Sequence, residues 1–94
     1  MKKYSKVKDA FSKITSKLFL GKSEAAHERR RIVSKGITHI ICAYTGGKVM
    51  FRKSFEYLLL KLDEDGNIYD HIENVEKFMN ETLKYDDNKI LIIW

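Results

Sequence analysis

The sequence contains no proline, a single cysteine (Cys42), a single tryptophan (Trp94) and only five glycines in 94 residues. Without proline there is no polyproline segment or stiff linker, and without repeats or low-complexity tracts the chain reads as one domain. One cysteine excludes an internal disulfide and a cysteine-rich zinc site, and it points to a reducing, intracellular home. No apolar stretch approaches the roughly 20 residues that a membrane span requires. The opening MKKYSKVKDAFSK is too polar for a secretory signal. What remains, 44% hydrophobic and 33% charged, is the composition of a soluble globular domain with room for one active site.

Charge is divided along the chain. Residues 1–53 carry 14 Lys and Arg against three acids, a net charge of +11, whereas residues 54–94 carry four against 10, a net charge of −6. A basic surface of that size can attract phosphates, acidic lipids or an acidic protein, and it can equally be a solvated face beside a self-complementary acidic one.

Hydrophobic spacing predicts an α/β order of elements. Residues 1–13 read as a basic arm or short helix, with Val7, Ala10 and Phe11 as its apolar anchors, ahead of a domain over 14–94. ITSKLFLG, ending at Gly21, suits a strand and turn. KSEAAHERRRIVSKG reads as one helix, with Ser23 as its cap, Ala25, Ala26, Ile32 and Val33 on one face, and Gly36 as its stop. ITHIICAY is a buried strand rich in β-branched residues, and Gly46-Gly47 turns the chain. FEYLLLKL reads as a second strand, although Phe51, Phe55, Leu58, Leu59 and Leu62 also fall at helical spacing, so residues 50–62 stay open between strand and helix. The last helix, residues 69–85, places Ile72, Val75, Phe78, Met79 and Leu83 at three- and four-residue steps, and Asp70 with Glu73 resembles a capping box. KILIIW closes the chain as a strand. The expectation is a mixed or parallel sheet of four or five strands with two main helices.

Several local patterns imitate functional motifs without completing them. Cys42 precedes Gly46, Gly47 and Lys48, but a lysine is a point charge that lacks the two-pronged grip of arginine on a phosphate, and Cys42 reads as a buried structural residue. The same stretch departs from a P-loop at both its first glycine and its magnesium-binding hydroxyl. DEDGNI fails as a calcium loop, because Lys61 and Ile72 would fill ligand positions. His27, His39 and His71 fall on separate elements with no metal-binding spacing. Arg29, Arg30 and Arg31 fan out by 100° per residue on a helix. The aromatics Phe19, Phe51, Phe55, Tyr57 and Phe78 read as core, so nucleic-acid binding is not expected.

The succession ITSKLFLGKSEAA, GITHIICAY, FEYLLLKLDED, IENVEKFMNETL and NKILIIW, over residues 14–94, resembles the first half of a dual-specificity protein phosphatase domain. In that family the last of these strands reads Val-Leu-Val-His-Cys and enters an HCxxGxxR loop. The loop cysteine is the nucleophile, backbone N–H groups and a helix N-terminus bind the phosphate, and the arginine clamps it. In KILIIW, Ile93 stands at the histidine position and Trp94 at the cysteine position, and no such loop follows in this sequence. Asp63, directly after YLLLKL, matches the family's general acid, with Glu64 and Asp65 as neighbours; an acid in a solvated turn is the competing reading.

The resemblance therefore implies a catalytically inactive, pseudophosphatase-like interaction module without metal or cofactor, whose partner is a protein, either acidic or phosphorylated. The alternative is a fragment of an active dual-specificity phosphatase acting on phosphotyrosine and phosphoserine or phosphothreonine. The strand at residues 89–94 is central in the family, so its apolar residues are expected to be bare here, and a homodimer through this strand is expected to cover them.

Overall fold

Four consecutive apolar residues, Ile90–Ile93, form the central strand of the sheet in the computed structural model, which describes residues 10–62 and 68–94. In chain order the strands are β1 (Phe11–Thr15), β2 (Leu18–Gly21), β3 (His39–Cys42), β4 (Glu56–Leu59) and β5 (Ile90–Ile93), and across the sheet they run β1-β2-β5-β3-β4. Only β1 and β2 are antiparallel; β2, β5, β3 and β4 are parallel neighbours. Parallel strands need crossovers, and the helices supply them. A 3-10 turn at Ser23–His27 and helix α1 (Arg29–Ser34) link β2 to β3, and α2 (Ile72–Thr82), preceded by a 3-10 turn at Ile68–His71, links β4 to β5.

The two crossovers cover opposite faces. Leu91 and Ile93 pack with Phe19, Ile40, Ala25, Ala26 and Ile32 on the α1 side. Ile90 and Ile92 pack with Ile41, Val75, Phe78, Met79 and Leu83 on the α2 side. Ile90, Leu91 and Ile93 are therefore fully buried within one chain. This corrects the expectation of a bare last strand: both edges of β5 are paired, both faces are covered, and only Trp94 beyond it is exposed. A dimer that adds to the edge of β5 has no free edge to use.

Local differences from the sequence reading have physical causes. Phe11 is buried and begins β1 inside the stretch read as an arm; the rest of that strand is exposed, which gave it a polar appearance. The expected single helix breaks at Glu28, whose φ of −92° and ψ of 61° are not helical. The break resets the helical phase, so Ile32 is buried while Val33 is exposed. Ser23 does not cap it, since the residue at the start of the 3-10 turn is Lys22, and no side chain caps either segment. Gly36 ends α1 with φ +78°, a left-handed conformation that glycine adopts without penalty.

Residues 50–62 resolve as turn and strand. Ser54 N–H donates to the Phe51 carbonyl, and Phe51, Phe55 and Tyr57 then meet edge to face at 6.3 and 6.4 Å. The capping box at Asp70 and Glu73 is not what starts α2, because its N-cap is His71. Ile72, assigned to the apolar face, is exposed. At the other end Lys17 Nζ donates to the carbonyls of Leu83 and Tyr85 at 3.3 and 3.0 Å, satisfying acceptors that the helix leaves open. No helix among the described residues is long and apolar enough to cross a membrane.

If β5 is the core of the domain, truncating it is costly. Leu91→Ala or Ile93→Ala should each lower unfolding stability by about 2–5 kcal/mol in urea denaturation. Trp94→Lys should change it by less than about 0.5 kcal/mol, as for an ordinary surface site. A loss at Trp94 as large as that at Leu91 would contradict this packing.

Candidate ligand site at the carboxyl edge of the sheet

The parallel register places Gly21, Ile93, Cys42 and Leu59 level across the sheet, at the carboxyl ends of their strands. In parallel α/β sheets this edge is where ligands bind, since the loops that leave it diverge. Here the ladder continues past the strands. Trp94 N–H donates to Gly21 O at 2.9 Å, Ala43 N–H to Ile93 O at 2.7 Å, and Leu60 N–H to Cys42 O at 3.0 Å. The Trp94 ring is thereby anchored through its backbone while its side chain stays exposed, with the Lys22 ammonium 5.3 Å from the ring centroid.

The 3-10 turn at Ser23–His27 rests on this edge because Gly21 permits it. A Cβ at Gly21 would come within 3.0 Å of Ala25 Cβ. Two grooves flank the turn, with Glu24 bordering both. One, of about 420 Å³, lies among Ser12, Gly21, Lys22, Glu24 and Trp94. The other, of about 480 Å³, lies among Glu24, His27, Tyr44, Gly46, Lys48 and Met50. Both offer ammonium groups, so they suit an anionic group better than a cation.

Cys42 stands at the same edge but is sealed from it. It is buried, and Gly47 crosses so closely above it that a Cβ there would lie 2.8 Å from Cys42 Cβ. Burial pushes the Cys42 thiol up from its ordinary value, with the hydrogen bond to Tyr44 opposing this less strongly. Burial likewise raises the phenols of Tyr44 and Tyr57. A thiol that ionises late is a poor nucleophile.

The other sequence candidates are dispersed. Asp63, Glu64 and Asp65 lie outside the described residues, although β4 brings the chain to the carboxyl edge at Leu59. His39 is buried at the opposite edge, its Nδ1 2.7 Å from Thr38 Oγ1 and its ring 5.7 Å from Phe78. His71 Nε2 donates to the Lys61 carbonyl at 3.1 Å, and His27 is exposed in the groove with Lys48. No group of His, Cys, Asp and Glu able to hold a metal forms among the described residues. Lys22 and Tyr44 were not singled out in the sequence; each follows an apolar strand by one or two residues, the one signal that would have marked them.

Similar solved structures include phosphatase-like domains. The human tyrosine phosphatase-like serine/threonine/tyrosine-interacting protein superposes with a TM-score of 0.74 at 27% identity, over 88% of this chain and 60% of that one. The chain has the fold of part of a dual-specificity phosphatase domain. DUSP15 gives a TM-score of 0.75 at 19% identity, over 88% of this chain and 53% of that one. A leucine-rich-repeat and phosphatase-domain protein from Entamoeba histolytica gives 0.69 at 23%, over 89% and 54%. The chain thus spans little more than half the length of these structures. No family model matches it, and no curated protein does.

Native Cys42 should resist a thiol reagent at neutral pH and react at once in denaturant. The raised thiol also carries a pH signature. The folded form keeps its proton after the unfolded form, with an ordinary value of about 8.5, begins to lose it, so this contribution to stability is complete below that pH and declines as pH rises above it. Denaturation followed from pH 7 to 10 in wild type and Cys42→Ala would show a shallower alkaline decline in the variant. Identical slopes would contradict the assignment.

Proposed function

We propose that this phosphatase-like domain is a binding module for an acidic or phosphorylated protein and does not itself hydrolyse phosphoesters. The reading rests on Trp94. It stands at the carboxyl end of the central strand, at the position to which the family resemblance assigns the nucleophile. An indole cannot form the cysteinyl-phosphate on which the family's chemistry depends. Cys42, the sole thiol, is buried beneath Gly47 with its ionisation suppressed, so it is not a replacement.

The same edge is suited to recognition. Lys22 beside the Trp94 ring, and Lys48 across Glu24, present positive groups in two open grooves. Carboxylate or phosphate oxygens are their natural complements. The human neighbour's name, a tyrosine phosphatase-like serine/threonine/tyrosine-interacting protein, supports this reading. A second reading, a portion of an active phosphatase, is favoured by one observation only: β4 ends on this edge at Leu59, four residues before Asp63 in the sequence.

Two measurements test the proposal. The purified chain should turn over an aryl phosphate no faster than buffer, and Asp63→Asn should leave that rate unchanged. Turnover abolished by Cys42→Ser would overturn the proposal. Because Trp94 is the only tryptophan, its emission reports on this edge directly. A phosphopeptide should shift that emission in wild type, and less so in Lys22→Ala.

A further inference from the structure

The arginine run of α1 is not an evenly basic surface, because the break at Glu28 fixes which way each guanidinium faces. Ile32 points into the core. At 100° per residue, Arg29, Val33 and Arg30 then follow one another around one flank of the helix, while Arg31 turns to the other. Contacts agree with this division. Arg29 Nε donates to Ser54 Oγ at 3.0 Å, joining that flank to the turn before β4, whereas Arg31 Nε lies 3.8 Å from Glu28 Oε1. The turn contributes Arg52 and Lys53, both exposed, to the side of α1 that carries Arg29. The acid Glu56 borders the same hollow as Arg52 and Lys53, on the side where its carboxylate lies 3.6 Å from His39 Nε2 and His39 packs on Phe78.

We propose that the face formed by Arg29, Arg30, Val33, Arg52 and Lys53 docks an acidic segment of a protein partner in which carboxylates flank an apolar side chain. Charge complementarity names the class of partner, and the arrangement narrows it. The Ser54 bond occupies Arg29 Nε and orients the guanidinium, leaving its two Nη groups for a forked contact with a carboxylate. Val33, 48% exposed between Arg29 and Arg30, gives an apolar side chain something to cover. Nucleic acid is disfavoured because the aromatics at this turn, Phe51, Phe55 and Tyr57, are committed to packing against the core and offer no stacking platform. A lipid surface is disfavoured because one exposed valine among four charges gives little to insert. None of these residues borders the grooves beside Trp94, so the surface stands independently of the function proposed for that edge.

The test is binding of a fluorescently labelled peptide of alternating glutamate and leucine to the whole chain and to single alanine variants, each first checked for unchanged circular dichroism. Arg29→Ala, Arg30→Ala and Arg52→Ala should each raise Kd about twofold to fivefold, the yield of an exposed ion pair. Arg31→Ala should leave it unchanged, and Val33→Asp should weaken binding beyond the loss from any one arginine. Equal losses at Arg29, Arg30 and Arg31 would overturn the proposal in favour of a diffuse positive field. So would an absence of peptide binding, or binding confined to heparin or to phosphatidylserine vesicles.

Discussion

A sheet in which the last strand lies in the middle has a specific dependence: β2 and β3 are not neighbours, and the β1–β2 pair is joined to the β3–β4 pair only through β5. The junction is secured at its amino end as well. Thr38 Oγ1 accepts from Lys89 N–H at 3.1 Å, while the N–H groups of Thr38 and His39 both donate to the Lys89 carbonyl, at 2.9 and 3.0 Å. Ile90 N–H meets the Lys17 carbonyl on the other side. A strand in this position cannot alternate polar with apolar residues, because neither face reaches water. Its composition follows from its place. So does the order of folding, since the β1–β2 hairpin and the β3–β4 pair cannot join until the residues furthest along the chain arrive, and such distant pairings form slowly.

Placing the crossovers on opposite faces also sorts the charges. Arg29, Arg30 and Arg31 lie on α1, and Glu73, Glu76 and Glu81 lie on the exposed side of α2. These groups do little for stability. The Arg31–Glu28 pair is half exposed at both ends, and such pairs contribute about 1 kcal/mol or less. Their effect is on what approaches the molecule, because a domain with opposite signs on its two faces orients a charged partner before contact. The inward residues hold the fold together and the outward ones select its company, with little overlap between the two sets.

How much of this is legible in the sequence depends on whether a local pattern coincides with a buried face. β3 and β5 are legible because full burial demands continuous β-branched runs, and α2 because Val75, Phe78, Met79 and Leu83 meet the sheet at helical spacing. β1 is not, because a strand that buries only Phe11 leaves no alternation to find. The break at Glu28 is equally hidden: every residue from Ser23 to Ser34 tolerates a helix, and the interruption is imposed by packing, with Ala25 held against Gly21 and Ile32 turned into the core. The burial of β5 is hidden for a related reason. A strand flanked by the α1 and α2 crossovers is already covered on both faces, whatever the remainder of a phosphatase domain contributes.

The same reasoning bears on the candidate site. The resemblance named Asp63 and a missing cysteine, both defined by family chemistry, but it said nothing of Lys22, Tyr44 or Gly47, whose roles come from where parallel strands end. Gly47 is the clearest case. Its proximity to Cys42 leaves no room for a Cβ, so the loop must carry glycine there if the thiol is to be covered so tightly. A covered thiol whose ionisation is suppressed is a poor nucleophile, and the neighbouring strand leads into an exposed tryptophan ring. Covalent catalysis needs the reactive group exposed and ionised; recognition needs apolar surface beside unpaired charge. At this edge Lys22 and the Trp94 ring supply the second, whereas the covered Cys42 does not supply the first.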